Sequence, residues 1–268
     1  MLFKTNARSI KEAVEIAVEN GVNLRGANLD SMELTGANLV GAKLDGASLR
    51  NSNLSRANLK GSSLDSTDMS GANISGADLS RSSLKNAILD RADLSRTDLE
   101  QSCLKNVSMI ESILIGSVLV GCDLRCADLS NTKFYRADLT ETDLSNSKMK
   151  ETDFSGACLR KACLRGNNLA DTILDMTDFY KADLRLVNLF GSCLVGANLI
   201  RTNLSEADLR ETICRGTDFL YTDLSGANME DADLEGAFLK EACLKNTNLN
   251  NAYLYRSDYE EQGAANNC

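Results

Sequence analysis

The sequence predicts an all-β solenoid closed at its N-terminal end by a short capping helix. Three observations carry that reading. A five-residue pattern runs from Val22 to Tyr259 forty-eight times without an insertion or a deletion. One large apolar residue, the centre, falls at Leu24, Leu29, Leu34 and every fifth position to Leu254 and Tyr259, and Leu fills 37 of these 48 positions. Ala, Ser or Thr stands two residues before the centre in 42 of the 48. A period this strict makes each pentad one structural unit, and such units bury a core only by stacking on their neighbours.

The first element lies in the N-terminal segment, residues 1–21. Ser9 and Glu12 have capping-box spacing, and Ile10, Ala13, Val14, Ala17 and Val18 fall on one helical stripe. Gly21 then stops the helix. Only Lys11 among residues 9–20 is basic, which favours a cap over the first coil rather than a membrane-surface helix. Met1-Leu2-Phe3-Lys4-Thr5 leads into polar residues, so no signal peptide is expected.

The second element is the repeat, residues 22–261. A helix places apolar residues about 3.6 apart and a strand about 2 apart, so a period of five suits neither alone. The small residue and the centre, two apart, point the same way on an extended segment. Each pentad therefore reads as a short extended piece with two side chains inward, followed by a bend. Small inward residues imply a narrow interior that a second large side chain would overpack. Met32 breaks the small-residue rule in the first coil, where the cap leaves room, and Asn167 breaks it deeper in, where it must find hydrogen bonds. Phe134 and Phe154, twenty apart, are expected to stack. The third element, residues 262–268, reads as a polar tail, with Tyr253, Tyr255 and Tyr259 forming a lid on the last coil or an end-to-end contact.

Runs such as Ala27-Asn28-Leu29 and Ala92-Asp93-Leu94 give the pattern small-(Asp/Asn)-Leu-x-x, which resembles the pentapeptide-repeat family over about nine-tenths of the chain. The resemblance implies a right-handed, four-sided parallel β-helix with four pentads per coil. On that footing 48 pentads make about twelve coils, a rod roughly 58 Å long at ~4.8 Å per coil.

Composition agrees with a solenoid. Pro is absent, as a coil-to-coil hydrogen-bond ladder requires. His is absent too, which excludes Ser-His and Cys-His nucleophile pairs and His-containing metal sites. No two of the nine cysteines are twenty apart, and Cys103, Cys163 and Cys243 share a column three and four coils from one another, so reduced thiols are expected. Cys122 and Cys214 fall at inward positions. No stretch approaches the ~18 apolar residues of a membrane span, and the reading is a soluble cytoplasmic protein.

Four faces follow from the register. The second, centred on Leu29 and Leu49, carries 5 basic and 11 acidic residues, and the others are nearer balance. Its acids include Asp30, Asp68, Asp90, Glu111, Asp128, Glu151, Asp171, Asp208, Glu211, Glu230 and Asp231. They form either a solvated surface or a nucleic-acid mimic. A basic ladder on the first face, Lys85, Lys105, Arg125, Arg165 and Arg185, is interleaved with Asp123, Asp143 and Asp183, so direct nucleic-acid binding is not expected. Outward apolar residues say more, because the core does not need them. Ile110, Ile113, Ile115, Val118 and Val120 form one group. Tyr180, Ile200 and Leu220, with Tyr221 beside them, form a column on the fourth face, and Ile173, Cys193 and Ile213 form one on the third.

These features predict a non-enzymatic interaction rod with a protein partner and no cofactor, metal or membrane, a monomer or a weak dimer through its C-terminal end. A packed convex surface offers no pocket in which to desolvate a carboxylate. The resemblance adds two alternatives. One is a DNA-mimicking binder of gyrase or another topoisomerase; such relatives dimerise through a C-terminal helix and many carry projecting loops, neither of which this sequence shows. The other is a secreted bacterial effector.

Overall fold

The computed structural model describes residues 7–259, which divide between Lys133 and Phe134 into two compact units, unit 1 and unit 2. The terminal residues 1–6 and 260–268, including the predicted polar tail, lie outside the described residues. The helix is α1, Ile10–Glu19. Ser9 is its N-cap and accepts a hydrogen bond from the Glu12 N–H, which satisfies one of the first-turn donors. The Glu12 carboxylate accepts from the N–H of Arg8 rather than of Ser9, so the capping box is closed one residue early. Val14 and Ala17 are buried, but Ile10 is 53% exposed and does not belong to the packed stripe.

In each unit, residues twenty apart pair in parallel through single isolated bridges, and each pentad contributes one bridging residue rather than a strand of any length. In unit 1 the series Asn28, Ser48, Asp68, Ile88, Ser108 and Asp128 climbs one column; in unit 2 Asp138, Cys158, Asp178, Asn198, Asp218 and Phe238 do the same. A separation of twenty with a turn in every pentad gives four sides per coil. The expected extended piece is thus the shortest a ladder allows.

The remainder of the pentad is a turn. The N–H two residues before each centre donates to the carbonyl of the preceding centre, as Ala37 does to Leu34 at 2.9 Å. The residue two after the centre has positive φ, from Ser31 at 57° to Arg256 at 58°, and Gly fills the position at Gly36, Gly196 and elsewhere. An i to i+3 hydrogen bond with positive φ only at the third residue matches a type II turn. Its N–H still joins the ladder, since Ser31 donates to the Arg50 carbonyl at 2.8 Å.

Four of the five backbone N–H groups of a pentad are thereby satisfied by backbone. The fifth, on the residue after the centre, falls to a side chain. Asp or Asn before the centre accepts it, as Asp68 does from the Ser70 N–H at 3.0 Å and Asn198 from Ile200 at 3.0 Å. Where that position is Ser, and at Cys193, an Asp one coil earlier takes over. Asp30 accepts from the Arg50 N–H, Asp65 from Lys85, Asp90 from Ile110 and Asp175 from Val195. Buried or half-buried N–H groups left without acceptors would each cost on the order of 1–3 kcal/mol, so the Asp/Asn of the repeat is a backbone requirement.

The interior is filled by the two inward columns. The centres from Leu34 to Leu239 are at most 1% exposed, and Phe134 stacks on Phe154 with ring centroids 5.1 Å apart and planes 4° from parallel. Thr and Ser at the small position turn their hydroxyls onto centre carbonyls, as Thr177 does to Phe154 at 2.9 Å and Ser192 to Leu189 at 2.7 Å. Asn167 copies the first pattern with its Nδ2 on the Leu144 carbonyl at 2.8 Å, but its Oδ1 is buried with no partner among the described residues. Asn167→Thr keeps the donor and removes the orphan acceptor. It is expected to raise stability by about 1 kcal/mol in urea unfolding.

The ends use side chains in place of missing coils. Glu15 of α1 accepts from the Asn38 N–H at 2.8 Å, and Lys11 donates to the Thr35 carbonyl at 2.9 Å. At the other end the Asp258 carboxylate accepts from the N–H groups of Leu239 and Lys240. Tyr253 and Tyr255 do not fold over the last coil as a lid: they stand 53% and 52% exposed, rings 6.1 Å apart. Tyr259 is half-buried. Cys122 and Cys214 are buried, and burial pushes their thiols up to about 11 and about 12. Seven cysteines are free, but Cys243 is disulfide-bonded, against the expectation of reduced thiols throughout.

Candidate functional site

The acidic residues divide by what the fold asks of them. Asp68, Asp128 and Asp208 accept the N–H two residues on, and Asp90 accepts from Ile110 one coil later. Glu111 pairs with Arg91 at 3.0 Å, Glu151 with Lys150 at 3.4 Å and Asp30 with Arg50 at 2.9 Å. Of the predicted acidic face, Asp90, Asp171, Glu211, Glu230 and Asp231 make no ion pair among the described residues; Asp90 is committed to the Ser108 hydroxyl and the Ile110 N–H, and the other four belong to unit 2. The predicted run of acid is therefore largely engaged in holding turns and neutralising neighbours.

Three Asp-Leu-Arg segments show the physical basis. Arg125, Arg185 and Arg210 each fold back to grip the Asp two residues earlier with two guanidinium hydrogen bonds, 2.6–2.8 Å long. Those bonds, with the backbone N–H added, hold Asp123, Asp183 and Asp208 below the ordinary Asp value of 3.8 against the opposing effect of partial burial. With folded values depressed, the unfolded chain takes up protons first as pH falls. The stabilisation is whole above pH 3.8 and is lost as pH drops through the lower folded values. The urea midpoint should fall across that window, and more gently in an Asp123→Asn, Asp183→Asn, Asp208→Asn variant.

The outward apolar residues fall on two surfaces. In unit 1, Ile115 and Val118 are 40% and 37% exposed, while Ile110, Ile113 and Val120 are half-buried, and Lys133 stands over Ile113. Sequence reasoning missed Ile88, exposed on the same face as Ile110.

Unit 2 presents the larger surface. On its third face Ile173 and Ile213 are exposed and flank half-buried Cys193, all joined by bridges one coil apart. Burial, and then a hydrogen bond to Asp175, raise the Cys193 thiol, so it is not poised as a thiolate. Two neighbours were not foreseen. Met176 is 69% exposed and lies across Gly196, whose missing Cβ would stand 2.6 Å from the Met176 sulfur. Val195 lies beside it at 36%. The signal for Met176 was present, since it occupies a turn position that polar residues or Gly hold nearly everywhere, Cys126, Leu186 and Tyr221 apart.

On the fourth face Tyr180, Ile200 and Leu220 stand one coil apart and are each half-buried, with Tyr221 51% exposed alongside. Phe238, 54% exposed, adds a further large side chain that the column search passed over. Cations lie over the rings: Arg160 and Lys181 over Tyr180 at 5.1 and 5.2 Å, and Arg201 over Tyr221 at 5.5 Å.

Among the described residues no group of three or more His, Cys, Asp or Glu is placed to hold a metal ion, and no helix is long and apolar enough to cross a membrane. A recess beside α1, lined by Glu15, Val18, Glu19, Asn38 and Val40, has one of its carboxylates committed to the Asn38 N–H.

Overlapping matches to the family model of pentapeptide repeats cover residues 20–166 and 168–251. Among solved structures the chain is similar to HetL, a pentapeptide repeat protein involved in heterocyst differentiation regulation from the cyanobacterium Nostoc sp. strain PCC 7120. The identity is 23% over 94% of this chain and 97% of that one, with a TM-score of 0.36. It is similar to a trypsin-treated form of QnrB1, a plasmid-mediated fluoroquinolone resistance protein, at 18% identity over 68% and 86%, TM-score 0.41. A pentapeptide repeat protein from the Arabidopsis thaliana thylakoid lumen gives 32% identity over 33% and 65%, TM-score 0.31. No curated protein matches the chain. The extent of the family match and the twenty-residue coil described above agree: this chain belongs to the pentapeptide-repeat family.

Proposed function

We propose that this protein is a non-enzymatic interaction module whose binding surface is the apolar skin of the third and fourth faces of unit 2. The carrying observation is the exposure of Met176, Ile173, Ile213, Tyr221 and Phe238, between 40% and 69%, beside an interior already filled by fully buried centres. These side chains are not needed for packing, and clustered exposed apolar groups mark association surfaces. Large, stiff or adaptable residues such as Tyr, Phe and Met are also those that interfaces favour.

The test compares the full chain with a Met176→Asp, Leu220→Asp variant and with Ile115→Asp in unit 1 as a control. A partner captured by wild type should be lost from the double variant and kept by the control, with melting temperatures unchanged. Equal capture by all three would remove this surface assignment.

A second reading draws on Asp171, Glu211, Glu230 and Asp231, the carboxylates of the predicted acidic face in unit 2 that form no ion pair among the described residues. Such acids could meet a basic groove in a topoisomerase in place of DNA. The engagement of the other acids weighs against it. Inhibition of DNA gyrase supercoiling, or quinolone protection, reversed by Glu211→Gln, Glu230→Gln would favour this reading over the first.

A further inference from the structure

Resting on the interaction-surface reading, we infer that the fourth face of unit 2 takes a protein segment that carries carboxylates in line with apolar side chains. The charge pattern commits to that chemistry. Four cations border the Tyr180–Ile200–Leu220 column, and the first two are neutralised within the chain: Arg160 pairs with Asp178 at 2.9 Å and Lys161 with Glu141 at 2.7 Å. Lys181 and Arg201 are exposed and form no ion pair among the described residues, in a chain of net charge −9.

The backbone fixes where these two cations stand. The Lys181 N–H donates to the Ile200 carbonyl at 3.1 Å and the Arg201 N–H to the Leu220 carbonyl at 3.0 Å. Each cation therefore sits at the edge of the apolar residue one coil on, and each leans over a tyrosine ring. The result is an apolar column with a cationic margin. A partner that lays apolar side chains on Ile200 and Leu220 brings its flanking residues against Lys181 and Arg201. Carboxylates there complete two charge pairs, whereas cations there leave four positive groups together.

Nucleic acid is the weaker fit. A duplex offers about one phosphate charge per 1.7 Å, and two unpaired cations on a chain of net charge −9 provide little counterion release. A second copy would bring its own net charge of −9 against this chain's −9.

The experiment selects peptides from a random phage-displayed library on the immobilised full chain. The selected sequences, made synthetically, are then titrated by fluorescence anisotropy against wild type, Lys181→Glu with Arg201→Glu, and Leu220→Asp. Expected are sequences enriched in Asp or Glu together with Leu, Ile or Phe, whose affinity falls about tenfold or more on charge reversal and weakens as salt is raised. Binding lost in Leu220→Asp but kept under charge reversal overturns the acidic-partner inference and leaves the interaction surface standing. Binding indifferent to both, or no selected binder, removes the surface as well. Labelled duplex DNA or phosphatidylserine vesicles bound through Lys181 and Arg201 would also overturn it. So would a dimer in analytical ultracentrifugation that the charge reversal dissociates.

Discussion

Phe154→Ala is expected to destabilise unit 2 by about 3–5 kcal/mol, against the 5–15 kcal/mol that typically separates folded from unfolded chains. Phe154 is fully buried and stacks on Phe134, so truncation removes both the transfer energy of a ring and its partner's contact surface. The ladder limits relaxation. The Phe154 N–H is bonded to the Ile173 carbonyl at 2.9 Å and its own carbonyl accepts from Thr177 at 2.9 Å, so the backbone cannot collapse into the cavity without breaking both. A double variant with Phe134→Ala should cost less than the sum of the two single changes, by about 0.5–1.5 kcal/mol for the lost ring pair. The six tyrosines, from Tyr135 to Tyr259, all lie in unit 2, so tyrosine fluorescence reports that unit alone while circular dichroism reports both. In a repeat protein whose units couple only to neighbours, destabilising one segment separates the two signals. The fluorescence midpoint should move to lower urea well ahead of the dichroism midpoint. Coincident transitions, shifted together, would show that the two units unfold as one.

The interior was legible in the sequence because it depends on size alone. Leu or another large apolar residue at every fifth position, with Ala, Ser or Thr two before it, suffices to predict which side chains meet, down to Phe134 on Phe154. The hydrogen-bond logic was also written there but needed the coil length to be read. Each serine directly before a centre, Ser48, Ser63, Ser83 and Ser108, has an Asp eighteen residues earlier, at Asp30, Asp45, Asp65 and Asp90. In the structure all four hydroxyls donate to those carboxylates. Counting net charge per face hid this, because an acid holding a backbone N–H counts the same as one open to solvent. The turn was missed for a different reason. Arg, Glu, Asn and Lys at the second position after the centre read as solvated surface, and nothing in their chemistry announces a positive φ that they adopt only because neighbouring turns and ladders enforce it. The candidate surface was half visible. Columns one coil apart could be found by register, but Met176 reaches across Gly196, and that contact depends on a missing side chain in the next coil.

The turn requirement leads to the sharpest pair of outcomes at one position. Glu211 has φ of 57°, is exposed, and donates its N–H to the Glu230 carbonyl at 3.1 Å. Proline holds φ near −65° and has no N–H, so Glu211→Pro loses the hydrogen bond and cannot adopt the turn at all. The corner must reopen, and the ladder bonds on either side, such as Ile213 to the Ser192 carbonyl at 3.0 Å, come under strain with it. A loss of about 3 kcal/mol or more is expected, comparable to proline in a helix interior. Glu211→Gly acts in the opposite direction. A left-handed non-glycine residue costs about 1–3 kcal/mol, while glycine adds about 0.5–1 kcal/mol of backbone entropy to the unfolded chain. The net is a gain of about 0.5–1 kcal/mol, visible as a higher urea midpoint for unit 2 by tyrosine fluorescence. Charge loss cannot account for a split of that sign, because both variants remove the same carboxylate. If both changes proved mildly destabilising, or neither mattered, the corner would not be the conformational constraint described here. The same reasoning bears on the proposed surface, since Met176, Lys181, Arg201 and Tyr221 all occupy this left-handed position. The turn that strains the backbone there is also what turns each of those side chains outward to solvent.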